Sequence, residues 1–328
     1  MAGYDRRHAS VTAVAGAILL AFAGSLRAEG RKSRWSFGVL VENDVFAVSD
    51  GGYTSGTKFI LIPPVRASRE ESGRFVSFSL GQIISTPENI EDPGLITEDR
   101  PYAGVLYAEM GFHKLRQDSM ESLEFLLGIA GPSSLAGGIQ RSLHKAFGWT
   151  YPRGWKNQLG DEALAGCFYD RKWRFGALSG SSGTQRDFIA HAGGGLSNLW
   201  TGLNGGLEFR IGRNLPGDFG PSMMAPAGNA ASILESRDGR DSGGRRGGAY
   251  FFAALEGHAV ARDILFDGNT LRKSHKVDKL PFTADVAVGG VLRRGRLKAA
   301  FTYVYQTKRF RTQDLKPFLG SLSLAWIF

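Results

Sequence analysis

The stretch "FLGSLSLAWIF", Phe318–Phe328, puts Phe318, Leu322, Leu324, Trp326 and Phe328 on one face of an extended chain, against a row of small and polar residues. Period-two alternation of this kind is the mark of a strand, because successive side chains point to opposite faces. Two architectures use it. A soluble sandwich buries the apolar row and turns the other to water. A membrane barrel turns the apolar row to lipid and fills its lumen with small and polar side chains.

The same rhythm runs through the chain. Trp35, Phe37, Val39 and Val41 alternate with Ser36, Gly38 and Leu40. Leu123, Phe125, Leu127 and Ile129 alternate with Glu124, Leu126 and Gly128. Leu203, Leu207, Phe209 and Ile211 alternate with Asn204, Gly206, Glu208 and Arg210, and Leu297 to Tyr305 repeats the pattern. Strand candidates fall at 35–43, 54–63, 74–84, 102–113, 121–130, 166–176, 186–196, 202–212, 248–261, 282–292, 295–307 and 317–328. That is about twelve, an even number of near-spanning length, as a bacterial barrel requires.

The N-terminal segment has the layout of an export signal. Arg6, Arg7 and His8 precede an apolar run from Val11 to Gly24, and Ala28 offers a small residue for cleavage. Met1–Ala28 is therefore expected to be a signal peptide, leaving 29–328 as a single domain. The run is short for a spanning helix, and no comparable run follows it. The lone cysteine, Cys167, excludes an internal disulfide framework and Cys-rich metal sites, and is expected as a half-buried strand residue. The formal charge of +9 becomes +7 when Asp5, Arg6, Arg7 and Arg27 leave with the signal. A basic exported protein suits an anionic partner such as lipid phosphates, and export disfavours nucleic acid. The Gly-, Pro- and Arg-rich stretch from Arg213 to Gly247 reads as one long outer loop.

Export, aromatic residues near strand ends and the C-terminal segment together favour the barrel. The terminal Phe328 resembles the ending of bacterial outer-membrane barrels. The expected fold is all-β: a transmembrane antiparallel β-barrel of about twelve strands, with one short helix near the active site.

That helix is read from "GPSSLAGGIQRSLHKAFG", Gly131–Gly148. Ser134 is placed to cap it, and Leu135, Ile139 and Leu143 fall on one side. Gln140 and His144, four apart, are neighbours on its surface. Gly137 and Gly138 weaken such a helix and call for a packing reason. Lying near the barrel's mouth or lumen, it would carry a catalytic group over the rim.

Further residues of interest cluster after the first strand, in "VENDVFAVSDGGYTSG", Val41–Gly56. Together with "TEDRPYAGVLYAEMGF", "LEFLLGIAGPSSLAGGIQRSLHKAFGW" and "YPRGWKNQLGDE", these residues resemble successive blocks of the lipid A 3′-O-deacylase family, the LpxR type, over roughly Phe37 to Glu162. The resemblance implies an outer-membrane barrel whose active site lies between its wall and the outer leaflet. It implies calcium-dependent hydrolysis that releases the 3′-linked acyloxyacyl group of lipid A, so the implied partner is lipopolysaccharide and the cofactor Ca2+. The positions matching the family's functional residues are Asn43, Asp44, Thr54 and His144, with Gln140 nearby. Two departures stand out. "STPENIEDPGLITEDR" lacks the family's lysine, and Thr150 stands where an acidic residue follows the histidine.

The chemistry of these residue types fits ester hydrolysis. His144 is the natural base, since an imidazole titrates near pH ~6.5. Asp44 shares the strand parity of Glu42, and both point inward if the strand continues; its carboxylate suits a hard cation such as calcium. Asn43 either donates to the oxyanion or holds Asp44. Thr54 orients water or substrate, or is an ordinary strand residue. Arg100 pairs with Asp99 or with a lipid phosphate, and with Tyr102 is taken as a substrate contact. Asp161 and Glu162 either support metal or histidine, or form a solvated turn. No Gly-x-Ser-x-Gly is present, so a serine acyl-enzyme has no support. A non-enzymatic pore or structural barrel and an outer-membrane phospholipase are the alternatives to a lipid A deacylase. A monomer is expected.

Overall fold

The computed structural model of the chain describes residues 35–43, 55–64, 73–179, 183–221, 247–314 and 318–328. Among them run twelve strands: β1 (Ser36–Asn43), β2 (Ser55–Ile62), β3 (Gly73–Ser85), β4 (Ala103–Leu115), β5 (Ser119–Ala130), β6 (Glu162–Ser179), β7 (Gln185–Ser197), β8 (Trp200–Arg213), β9 (Gly247–Asp263), β10 (Phe282–Arg294), β11 (Leu297–Gln306) and β12 (Phe318–Ile327). Each pairs antiparallel with its sequence neighbour, and β12 closes on β1 from Ser36↔Ile327 to Asn43↔Gly320. Closure leaves no strand edge unpaired, which a lipid environment demands. The expected signal peptide lies outside the described residues.

The two faces settle which architecture the alternation serves. Outward side chains are large and apolar: Leu127 is 70% and Phe251 74% exposed, and Phe59, Phe78, Leu80, Phe112 and Leu207 are likewise exposed. Inward side chains are polar and buried in pairs. Lys58 meets Glu109 at 2.5 Å, His113 lies between Ser77 (2.8 Å) and Ser122 (2.9 Å), and Arg309 holds Asp285 at 2.5 Å. An apolar exterior around a hydrogen-bonded polar interior is a membrane barrel, not a water-soluble sandwich. Cys167 is half-buried in β6, as expected.

At one end lie both strand termini, Ser36 and Ile327, with the short links β4–β5, β6–β7 and β10–β11. The other end carries three long connections, β3–β4, β5–β6 and β9–β10, against the single long β8–β9 link at the end of the termini, and on that balance faces outward. The Arg213–Gly247 stretch joins β8 to β9 at the end of the strand termini. The expectation of an outer loop is thus corrected: an even strand count fixes the side on which each connection falls.

The described part of that stretch turns into the barrel. Phe219 is buried among the inward Ile60, Ile62, Phe75, Met120 and Ile189. Asp218 accepts from both Arg210 and Lys298, while Arg210, fully buried, also forks onto Asp187 at 2.8 and 2.6 Å. Chain and side chains together pack into this end of the lumen.

Candidate active site on the outer wall

The helix expected from sequence is α1 (Ala136–Phe147), preceded by a tight 3-10 turn, Pro132–Ser134. Ser134 is not its N-cap. Its Oγ donates to Gly131 O at 2.6 Å within the turn, and Leu135, at φ 64°, is the residue before the helix. Asp161 steadies the turn by accepting from Ser133 N–H (2.8 Å) and Ser133 Oγ–H (2.9 Å). Glu162 accepts from Asn198, Asn269 and Thr270, tying three outer connections together. Asp161 is exposed and ties the turn, as the solvated-turn reading has it, whereas Glu162 is buried as a tie between connections.

α1 lies on the outside of the barrel, over β3 and β4. Gly104 of β4 belongs to the outward row, and a Cβ there would lie 2.4 Å from Ala136 Cβ and 2.2 Å from Ser134 Oγ, so only glycine admits the helix. Gln82 of β3, also outward, donates to Ser134 O at 2.9 Å. Register then links this wall to the first strand. Asn43 pairs with Ser55, Ser55 with Ile84, and Ile84 with Gly104. All four point outward at one level, which puts Asn43 three strand spacings from the helix seat, about 14 Å along the wall. Glu42, of opposite parity, is buried toward the lumen.

Ala136, Gln140 and His144 form one row of α1 at four-residue spacing, with Ala136 seated against Gly104 and Gln140 buried. Gln140 is 2% exposed, and its Oε1 accepts from Trp155 Nε1–H at 2.7 Å. Because an indole only donates, this bond fixes which way the amide points. The Gln140 Nε2 that remains is buried with no hydrogen-bond partner among the described residues. Trp155 is itself wedged: a Cβ on Gly137 would meet its ring at 2.8 Å, and Tyr102 lies tilted against it at 5.1 Å. Gly137 therefore has its packing reason, whereas Gly138 has open space.

His144 sits in the last turn, its Nδ1–H donating to the carbonyl of Thr150 and its ring edge-on to Trp149 at 5.5 Å. Half-burial holds its pKa below the usual imidazole value, against a smaller upward pull from the Thr150 carbonyl. The tautomer with Nδ1 protonated leaves Nε2 as the acceptor. At the position where an acid was expected, the main chain of Thr150 orients the ring.

Tyr102 is buried; its OH donates to Ile90 O at 3.1 Å, and burial pushes its pKa up to about 12. Arg100 is buried too, its guanidinium between the rings of Phe266 (5.1 Å) and Phe310 (5.3 Å), where it lines a cavity in the outer half of the lumen. Both expected substrate contacts are thus enclosed rather than open on the wall. Thr54 and Asp44 lie outside the described residues. Among the described residues no cluster of three or more His, Cys, Asp or Glu side chains is placed to hold a metal. This wall offers the amide and hydroxyl oxygens of Asn43, Ser55, Thr57 and Gln82, and a hard divalent cation needs carboxylates besides. These residues alone do not make a calcium site.

Three features escaped the sequence reading: Trp155 as the anchor of Gln140, Gln82 as a seat for α1, and the Thr150 carbonyl. The first two carry a signal in hindsight, an indole within a Gly-flanked turn and a polar residue on a lipid-facing row. A main-chain carbonyl carries none.

A family model described as outer membrane protein LpxR matches residues 11–328. The chain belongs to the LpxR family. LpxR from Salmonella typhimurium shares the fold at TM-score 0.75 and 18% identity, over 89% of this chain and 100% of that one. The β domain of the Bordetella autotransporter BrkA (TM-score 0.47, 11% identity, 90% and 100% covered) and the translocator domain of NalP from Neisseria meningitidis (0.41, 10%, 98% and 97%) are more distant barrels. At these scores the two autotransporter likenesses carry no argument. No curated protein matches the sequence. Membership makes this an outer-membrane β-barrel of the LpxR family.

Proposed function

We propose that this protein is a lipid A deacylase that hydrolyses the 3′-linked acyloxyacyl ester at its outer wall. The observation that carries the reading is the row Ala136–Gln140–His144. It turns a pinned amide and a neutral imidazole toward the lipid side of the barrel, at its outer rim. An ester of a membrane lipid reaches that side without leaving the leaflet.

His144 Nε2 takes the proton of the attacking water, with the Thr150 carbonyl holding the ring in the required tautomer. The Gln140 Nε2–H, fixed by Trp155, donates to the carbonyl oxygen as negative charge develops there. A single such donor is worth about 10²–10³ in rate. Asn43, at the same level of the wall but about 14 Å from the helix seat, orients the sugar, and Thr54 positions water. Calcium enters through Asp44, and would supply positive charge near the ester when bound. Tyr102 acts through Trp155, and Arg100 braces the outer connections from inside.

The packing of Phe219 and the Arg210–Asp218 pair inside the lumen at the strand-terminus end speaks against the pore alternative. Mass spectra of outer-membrane lipids from cells with and without the protein test the rest. Loss of the acyloxyacyl mass from lipid A supports the proposal, while lysophospholipid with unchanged lipid A makes the protein a phospholipase instead.

A further inference from the structure

Three rows of α1, each at four-residue spacing, face three different surroundings. Ala136, Gln140 and His144 form the row seated through Ala136 against Gly104. Leu135, Ile139 and Leu143 form an apolar row left open, 63%, 39% and 45% exposed. Arg141 and Lys145 follow Gly137 on the third row, Lys145 exposed and Arg141 half-buried. A helix with one apolar and one basic face lies in the plane of a membrane interface, apolar side toward the acyl chains.

The wall beneath makes that plane definite. Below the seat on Gly104, β3 and β4 present Leu80, Phe78 and Met110 to lipid, so the open row on α1 continues the apolar belt of the barrel upward. One row of three side chains falls far short of the roughly 800 Å² per partner that a stable second copy needs. Lipid covers it. The basic row, on the opposite flank of the helix from the apolar one, then stands at head-group height, on the outer leaflet side, where phosphates gather.

We propose that α1 is an interfacial lipid-capturing helix: its Leu135–Ile139–Leu143 row lies among acyl chains, and Arg141 and Lys145 bind the phosphates of an anionic outer-leaflet lipid, concentrating it beside His144. This deepens the deacylase reading by naming what delivers substrate, yet its test needs no hydrolysis.

The full chain, folded into phosphatidylcholine vesicles, is labelled with a fluorophore at position 139 through Ile139→Cys in a Cys167→Ser background. Acyl-chain nitroxides on trace lipids act as quenchers. The expected results are strong quenching and resistance to aqueous iodide. Trace nitroxide-phosphatidylglycerol is expected to quench more than trace nitroxide-phosphatidylcholine at equal density. That preference falls when Arg141→Gln and Lys145→Gln are added, by up to about fivefold per basic residue. A probe reached by iodide and not by acyl nitroxides overturns the acyl half of the proposal. Equal quenching by the two lipids overturns the head-group half. Deacylation without lipid preference sinks this inference and spares the enzyme, whereas preference without deacylation does the reverse. Gel heat-modifiability confirms that each variant is folded.

Discussion

The Nδ1–H of His144 donates to the carbonyl oxygen of Thr150, a residue beyond the end of α1. Gly148, at φ 67°, turns the chain so that this carbonyl comes back under the ring. For a base oriented by a neutral carbonyl, half-burial is the larger influence on its pKa and lowers it.

The pH dependence follows from that environment. The neutral imidazole is the active form, so protonation removes activity as pH falls through its pKa. Because that pKa lies below the ordinary ~6.5, the rate should be flat around neutrality and decline only at more acidic pH. A kcat/KM profile on detergent-dispersed lipid A, which reports the free enzyme, checks this; an acid limb with its midpoint well above ~6.5 would contradict the assigned surroundings.

Trp155→Phe keeps the ring against Gly137 and Tyr102 but deletes the N–H that pins Gln140. Losing a hydrogen bond to a buried amide costs about 1–3 kcal/mol. If the amide's orientation is what the transition state needs, kcat falls roughly tenfold to a hundredfold with the barrel intact. Unchanged kcat in a folded variant would remove Gln140 from the chemistry.

At the opposite end, Arg210→Ala leaves Asp187 without its fork and Asp218 with Lys298 and the Gly220 N–H. Breaking a buried ion pair from one side costs about 3–5 kcal/mol, read as earlier unfolding in denaturant. Planar bilayers should show no conductance for the native protein and channel events for the variant. Steady conductance by the native protein would restore the pore reading.

Much of this was legible in the sequence, and the reasons are physical. Strand alternation is a local property, so all twelve strands and the inward turn of Glu42 could be read from it. The helix from Ala136 to Phe147 shows equally well in its four-residue rows. Its side of the wall does not, because that depends on Gly104 and Gln82, far away in sequence and joined to it only by register. The Arg-rich connection was placed at the wrong end because composition says nothing of direction; counting strands does. Arg100 and Tyr102 looked available because a polar head suggests a surface, yet cation–π contacts and an enclosed hydroxyl hold both inside.

Metal removal is the test of Asp44. With excess EGTA, deacylation should stop and return on adding calcium, while the barrel stays heat-modifiable. Full activity in EGTA would exclude a calcium requirement and leave Gln140 as the oxyanion donor.

The central claim is that an imidazole on the lipid side of the wall performs the hydrolysis. The direct measurement is the mass spectrum of lipid A from membranes carrying either the native protein or His144→Ala, each verified as folded. The account predicts loss of the 3′-acyloxyacyl mass with the native chain and full-length lipid A with the variant, a rate difference of about 10²–10⁴. The same deacylated product from both proteins would contradict it.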